Sequence, residues 1–167
     1  MHTRALLVYR LQELYAFLRD MLPQVDAMHQ RAVNEHLRVL LGRQREAWRS
    51  ELDTLEQALN LLGARFTMEH STLAPALHEA MARFRARANP TPDHQDIAAT
   101  LDLMKAAHLA IGSYEGASEL AHAIGEGDVA RLLDENLDRQ RESLTVLRDF
   151  ALGLITAMSE EEGRKAA

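Results

Sequence analysis

The chain has no cysteine, four prolines and, at 5% of its 167 residues, few aromatics. Without cysteine there are no disulfides, thiolate nucleophiles or cysteine-ligated zinc and iron–sulfur centres, so any metal must be held by His, Asp or Glu. β-Branched aliphatics are equally scarce: Val and Ile total 10, against 27 Leu and 26 Ala. Strands favour the residues that are scarce here and helices those that abound, so an all-α protein is expected. No uncharged apolar run approaches the ~20 residues that span a bilayer. The opening Met1-His2-Thr3-Arg4 leads into helical periodicity containing Arg10 and Glu13, not into the apolar stretch of a secretion signal. An intracellular, cytoplasmic protein is therefore expected. Basic charge is short too, with 19 Lys and Arg against 25 Asp and Glu. That balance speaks against nucleic acid as a partner, because phosphate binding needs a basic face. The local clusters Arg43, Arg45, Arg49 and Arg83, Arg85, Arg87 are interleaved with Glu, Ala or Phe and read as solvated helix flanks.

What is present is helical periodicity. Leu7, Leu11, Leu14, Leu18 and Leu22 recur at three-to-four spacing and define a first helix, which Pro23 kinks or ends. A second stripe runs Val33, Leu37, Leu40 or Leu41, Gln44, Trp48, Leu52, Leu55, Leu59 and Leu62, about eight turns, and stops at Gly63. The connection from Gly63 to Pro92 holds one short helical pattern, Leu73 to Phe84, and ends in Asn89-Pro90-Thr91-Pro92. Thr91 can cap the next helix, with Pro92 in its first turn and Asp93 at the positive end of its dipole. The third long helix carries Leu103, Ala107, Ala110, Tyr114, Ala117, Ala121 and Ile124 on one face and ends at Gly125. The fourth carries Val129, Leu133, Leu137, Gln140, Leu144, Leu147, Ala151, Leu154 and Met158. Residues 1–159 are expected as one helical domain, with 160–167 as a frayed, flexible tail. Short links make two antiparallel hairpins, and a connection of ~30 residues is long enough to travel the bundle, so that the second and third long helices run parallel.

This order of segments resembles the ferritin-like proteins of the YciE/YciF type, which are stress-associated bacterial proteins. The resemblance covers residues 5 to 158. It rests on Glu13-Leu14-Tyr15, Leu22-Pro23, the Leu55-Glu56-Gln57-Ala58-Leu59-Asn60-Leu61-Leu62-Gly63 ending, His108 with Tyr114, and Ala130-Arg131-Leu132-Leu133-Asp134-Glu135-Asn136-Leu137. It implies a ferritin-like antiparallel four-helix bundle with a long crossover carrying a short fifth helix, and a homodimer. It also implies kinship to di-iron carboxylate proteins, whose cores present glutamates and histidines to two metals. Here the sequence departs from that pattern. The layer where ligands would point holds Leu18, Gln44, Trp48, Ala107, Ala110 and Gln140. The family's Leu-Tyr-x-x-Glu segment places Leu18 at its Glu, and its Glu-His-Tyr-Glu reads Ala107-His108-Leu109-Ala110. No cofactor and no catalytic residue are expected from such a layer; Trp48, Leu18, Gln44 and Gln140 are expected to fill the volume of the metals.

Weaker ligand candidates are Glu119 with His122, and Asp26 with His29, each spaced i,i+3 so that both groups share a helix face. They fall at opposite ends of a bundle roughly 40 Å long, so they cannot share one metal. His108 and Tyr114 are read either as a remnant proton or electron relay or as a flank histidine and a core tyrosine that bonds across helices. Glu46, Glu115, Asp138 and Glu142 fall beside the same layers, where Arg45, Arg49, Arg139 and Arg141 can pair with them. Three functions follow. The first is a degenerate, non-catalytic ferritin-like protein acting through self-association or partner binding. The second is a di-iron or di-manganese oxidase or ferroxidase, and the third a binder of small molecules beside Ala107 and Ala110. Val8, Tyr9, Phe17 and Phe84 are the apolar positions expected to serve homodimerisation.

Overall fold

A computed structural model describes residues 2–68 and 70–166. The helices are α1 (Thr3–Arg31), α2 (Glu35–Leu61), α3 (Leu73–Ala88), α4 (Pro92–Ala123) and α5 (Gly127–Ala166). Each long helix buries a seam whose members alternate four and three residues apart. In α1 the seam is Leu7, Leu11, Leu14, Leu18, Met21, Val25 and Met28; in α2 it is Leu37, Leu41, Gln44, Trp48, Glu51, Leu55 and Ala58. In α4 it runs Asp96, Thr100, Leu103, Ala107, Ala110, Tyr114, Ala117 and Ala121, and in α5 Val129, Leu133, Asn136 and Gln140, resuming at Leu147 and Ala151. This is the spacing of side chains that interdigitate between nearly aligned helices, so the four seams close on one another as a bundle.

Cross-helix contacts give the directions. Asp26 on α1 meets Arg45 on α2, and Tyr15 meets Glu56, so α1 and α2 are antiparallel. Ser118 and Tyr114 on α4 meet Asp134 and Asn136 on α5, making a second antiparallel hairpin. Arg4 near the start of α1 pairs with Glu126 just past α4 at 3.0 Å, while the backbone beyond α1 meets Asp96 at the start of α4. The hairpins therefore stack with α1 antiparallel to α4, which leaves α2 and α4 parallel. Between them the crossover runs along α1: the Gln12 side chain donates to the Arg65 carbonyl, the Ser71 N–H donates to Asp20, and His78 bonds Gln24. The architecture is the antiparallel four-helix bundle with a long crossover and a short fifth helix that the sequence leads one to expect.

The helix ends have local causes. After α2 and after α4, Gly63 (φ 66°) and Gly125 (φ 77°) take the left-handed conformation at which a side chain is strained. Each closes the paired bonds of a helix stop, Gly63 N–H to Asn60 O with Ala64 N–H to Leu59 O, and Gly125 N–H to His122 O with Glu126 N–H to Ala121 O. The Thr91 hydroxyl caps α4 with Pro92 in the first turn, as the sequence indicates. Two expectations are corrected. Helix α1 continues through Pro23 to Arg31, because Met21, Val25 and Met28 carry its buried seam across the proline. Helix α5 itself runs on to Ala166, where Lys165 pairs with Glu161 at 2.6 Å and Glu162 approaches His94 at 3.8 Å. Phe17, expected on an associating surface, is only 2% exposed, because it flanks the α1 seam on the side covered by α4 and the crossover.

Asp96 fastens the two hairpins together. Its carboxylate is 4% exposed and accepts the N–H groups of Val33 (3.1 Å) and Asn34 (2.7 Å), the linker and N-cap residues ahead of α2. It lies near the N-terminal ends of both α2 and α4, where a negative charge is favoured. We expect Asp96→Ala to lower stability by about 2 kcal/mol, the scale of charge-assisted hydrogen bonds lost with their N–H groups left unpaired. Urea unfolding measures this, and a loss within error of zero would remove Asp96 from this role.

Candidate functional site

At mid-bundle the seams stop being apolar. Glu51 on α2 is 2% exposed, and its carboxylate accepts the Tyr114 hydroxyl of α4 at 3.0 Å and the Gln140 amide N–H of α5 at 2.8 and 2.9 Å. The Asn136 amide of α5 donates to the Tyr114 oxygen at 3.1 Å. Two turns earlier on α2, the Gln44 carbonyl accepts the Ser143 hydroxyl at 2.5 Å. Trp48 lies between these two rungs and is wholly buried, as are Leu18, Ala107 and Ala110.

Burial sets the electrostatics. Loss of solvent pushes the Glu51 carboxyl up to about 7, against the opposing pull of its Gln140 and Tyr114 hydrogen bonds and the Arg139 charge. The Tyr114 hydroxyl is raised well above its ordinary value by burial first and by the Glu51 charge second. The network thus holds one exchangeable proton whose affinity sits near neutrality, on an α2 carboxylate reached from two other helices, α4 and α5.

The candidates read from sequence are dispersed. Tyr114 is in the network. His108 is exposed and lines a groove of about 810 Å³ between α1, α4 and the crossover, with Tyr9, Phe17, Gly112 and Gly116. Asp26 pairs with Arg45 at 3.2 Å, and His29 lies beside Gly42, at the end of the bundle where α1 closes. At the opposite end of α4, Glu119 and His122 are exposed; His122 meets Asp134 at 2.9 Å, and Asp134, which also accepts the Ser118 hydroxyl, is held below the usual carboxylate range chiefly by that bond. Glu46 pairs with Arg49 and Arg45, and Glu115 and Asp138 pair with Arg141, all on the outside of the bundle.

Sequence reading missed Glu51 and Asn136. Both stand next to a leucine, Leu52 and Leu137, that an apolar-first template selects instead. The strict four-three alternation points to them: from Trp48 the next step is Glu51, and from Leu133 it is Asn136.

A ferritin-like fold implies a di-metal centre in this layer, and the residues do not fit one. The layer offers a single carboxylate, Glu51, already engaged by two donors. Leu18, Ala107 and Ala110 have no ligand atoms. The unpartnered Gln44 Nε2 and Trp48 Nε1 are hydrogen-bond donors that present positive charge, the wrong polarity for a cation. Among the described residues no group of three or more His, Asp or Glu is placed to hold a metal ion.

Comparison with known proteins gives the lineage. The model of the family described as a domain of unknown function, DUF892, matches residues 2–159. The E. coli stress protein YciF superposes with a TM-score of 0.86 at 17% identity, covering 93% of this chain and 98% of its own. YcfI of Rhodopseudomonas palustris gives 0.83 at 20% identity, covering 89% and 94%. A protein of Xanthomonas campestris gives 0.79 at 20% identity, covering 97% and 99%. At these identities the likeness is one of fold. A search of the curated proteins finds no match.

The Glu51 proton makes stability depend on pH with a definite sign. Its affinity is raised from 4.5 to about 7 on folding, so its contribution is fully present below pH 4.5 and is lost as pH rises to about 7. At ~1.4 kcal/mol per decade of proton affinity the loss approaches about 3 kcal/mol. Glu51→Gln keeps the group neutral. Urea unfolding at pH 5 and pH 8 is expected to show the variant gaining on the natural protein as pH rises; parallel values at both pH values would refute the buried titration.

Proposed function

The chain belongs to the DUF892 family, and from that premise we propose that it is a degenerate, non-catalytic ferritin-like protein of the cytoplasm that serves a stress response through self-association. The observation that carries this reading is the closed layer at mid-bundle. Trp48, Leu18, Ala107 and Ala110 are wholly buried, and the one acid there, Glu51, is consumed in holding helices together. The stress role is carried over from YciF, a stress protein of the same fold. No helix among the described residues is long and apolar enough to cross a membrane, in keeping with a role inside the cell.

With the core closed, chemistry moves to the outside of the bundle. Tyr9 is 45% exposed and Phe84 39% exposed, with Val8 half-buried beside Tyr9. Apolar side chains of this size left in solvent are the raw material of an interface between like chains. A homodimer is the assembly we assign to them, with neither nucleic acid nor membrane as partner.

Light scattering of the natural protein should give twice the chain mass, and Tyr9→Asp combined with Phe84→Asp should return the monomer while the helical circular dichroism is unchanged. A monomeric natural protein at tens of micromolar would overturn self-association. Metal analysis addresses the other half of the reading. Protein grown with iron and manganese should retain well under one ion per chain and show no Fe(II) oxidation beyond the buffer rate; more than one tightly held iron, with oxidation in air, would establish the oxidase instead.

A further inference from the structure

Among the described residues, three buried side-chain atoms have no partner: Gln44 Nε2, Trp48 Nε1 and Gln140 Oε1. Their residues are at most 4% exposed. An unpaired buried donor or acceptor costs about 1–3 kcal/mol, and native cores seldom keep several together. All three belong to the facing seams of α2 and α5. Gln44 and Ser143 form one rung and Glu51 and Gln140 the next, about 10 Å apart along α2 by the rise per residue, with Trp48 on the turn between. The Gln140 amide turns its nitrogen to Glu51, so its oxygen faces away from that carboxylate. The Gln44 amide turns its oxygen to Ser143, so its nitrogen faces away from that hydroxyl. What the two rungs leave over is two N–H donors and one carbonyl acceptor on the facing seams of α2 and α5, where the rungs stand seven residues apart on α2 but only three apart on α5.

We propose that this layer binds one internal water molecule, which accepts from Trp48 Nε1 and Gln44 Nε2 and donates to Gln140 Oε1. The polarity of the three atoms selects the ligand class. A cation would face two N–H groups. An anion would have no proton for the Gln140 carbonyl and would lie close to the Glu51 carboxylate. An apolar molecule would leave all three atoms unpaired. A small neutral hydroxyl that both accepts and donates satisfies them, and water does so with the three bonds common for an internal water. The site is independent of the self-association proposed above.

The chain offers a clean test, because Trp48 is its only tryptophan and gives one indole N–H resonance. In the natural protein that resonance should show a direct cross-relaxation peak to water with the sign of a long-residence molecule. The peak should survive in Ser143→Ala and Tyr114→Phe, which removes the two nearby hydroxyls as its source. A tryptophan auxotroph fed benzothienyl-alanine, in which sulfur replaces the indole N–H, should yield a protein with a lower thermal midpoint, since a hydrogen bond has been lost at constant shape. Loss of the cross-peak in either hydroxyl variant overturns the proposal, because the signal then came from a side-chain hydroxyl. So does an absent cross-peak combined with a lower midpoint, which would mean that the indole bonds a rotated Gln44 amide. An absent cross-peak with a higher midpoint overturns it as well, since the N–H would then be unpaired.

Discussion

The Glu51 carboxylate, buried on α2 and held by Tyr114 from α4 and Gln140 from α5, is the interaction on which the bundle's alignment rests. Four largely apolar seams pack well against one another, and along α1 a shift of seven residues replaces one apolar side chain with another at every seam position. Apolar burial supplies most of the driving force and little of the register. A buried acid changes that. Moved away from its donors, Glu51 would carry the full cost of desolvation with no return, a penalty of several kcal/mol. The Gln44 and Ser143 rung repeats the constraint two turns along the same pair of helices, and two such rungs leave α2 and α5 only one way to meet. Polar atoms in this core act as alignment marks, and the apolar atoms around them supply the stability.

Much of the fold was legible because the forces that make it are local. Leu and Ala periodicity gives four long helices, Gly63 and Gly125 stop two of them through backbone conformation, and Thr91 with Pro92 starts a third. The crossover was legible from its length. What escaped was decided at a distance. Asp96 caps the entry to α2 from more than 60 residues away, and no window of sequence around either partner contains the other. Pro23 reads locally as a break, and the packed residues on both sides of it overrule that tendency. The last turns of α5 read as a tail, yet charges four residues apart and a helix already begun favour their continuation.

The candidate site shows the same division more sharply. A template that looks for apolar residues at three-to-four spacing picks Leu22 over Met21, Leu52 over Glu51 and Leu137 over Asn136. Burial runs the other way: Glu51 is 2% exposed and Leu52 9%, Asn136 is fully buried and Leu137 6% exposed. The two misses share a cause, because Glu51 and Asn136 each have a leucine beside them, Leu52 and Leu137, on the flank of the same helix. Counting strict four-three steps from the unambiguous Trp48 or Leu133 recovers both residues without reference to their polarity. Spacing carries the geometry of packing, whereas residue type carries only its usual chemistry, and a functional or specifying core is where the two disagree.

The chemistry of the layer follows from arithmetic of charge and volume. Two divalent ions held close together need several carboxylates to offset their mutual repulsion, and each carboxylate in turn needs the ions to justify its burial. Neither half of such a centre survives alone. With the other acids replaced by leucine and alanine, a single remaining carboxylate is left with desolvation unopposed by metal charge, and its proton affinity climbs to about 7. It then depends on neutral donors, which Tyr114 of α4 and Gln140 of α5 provide, with Asn136 donating in turn to the Tyr114 oxygen. The one tryptophan in the chain, Trp48, is wholly buried in the same core, as are Leu18, Ala107 and Ala110. A core rebuilt in this way has no open coordination position and no cluster of negative charge to draw a cation inward. What it has is a fixed register, set by Glu51 with Tyr114 and Gln140 and by Gln44 with Ser143.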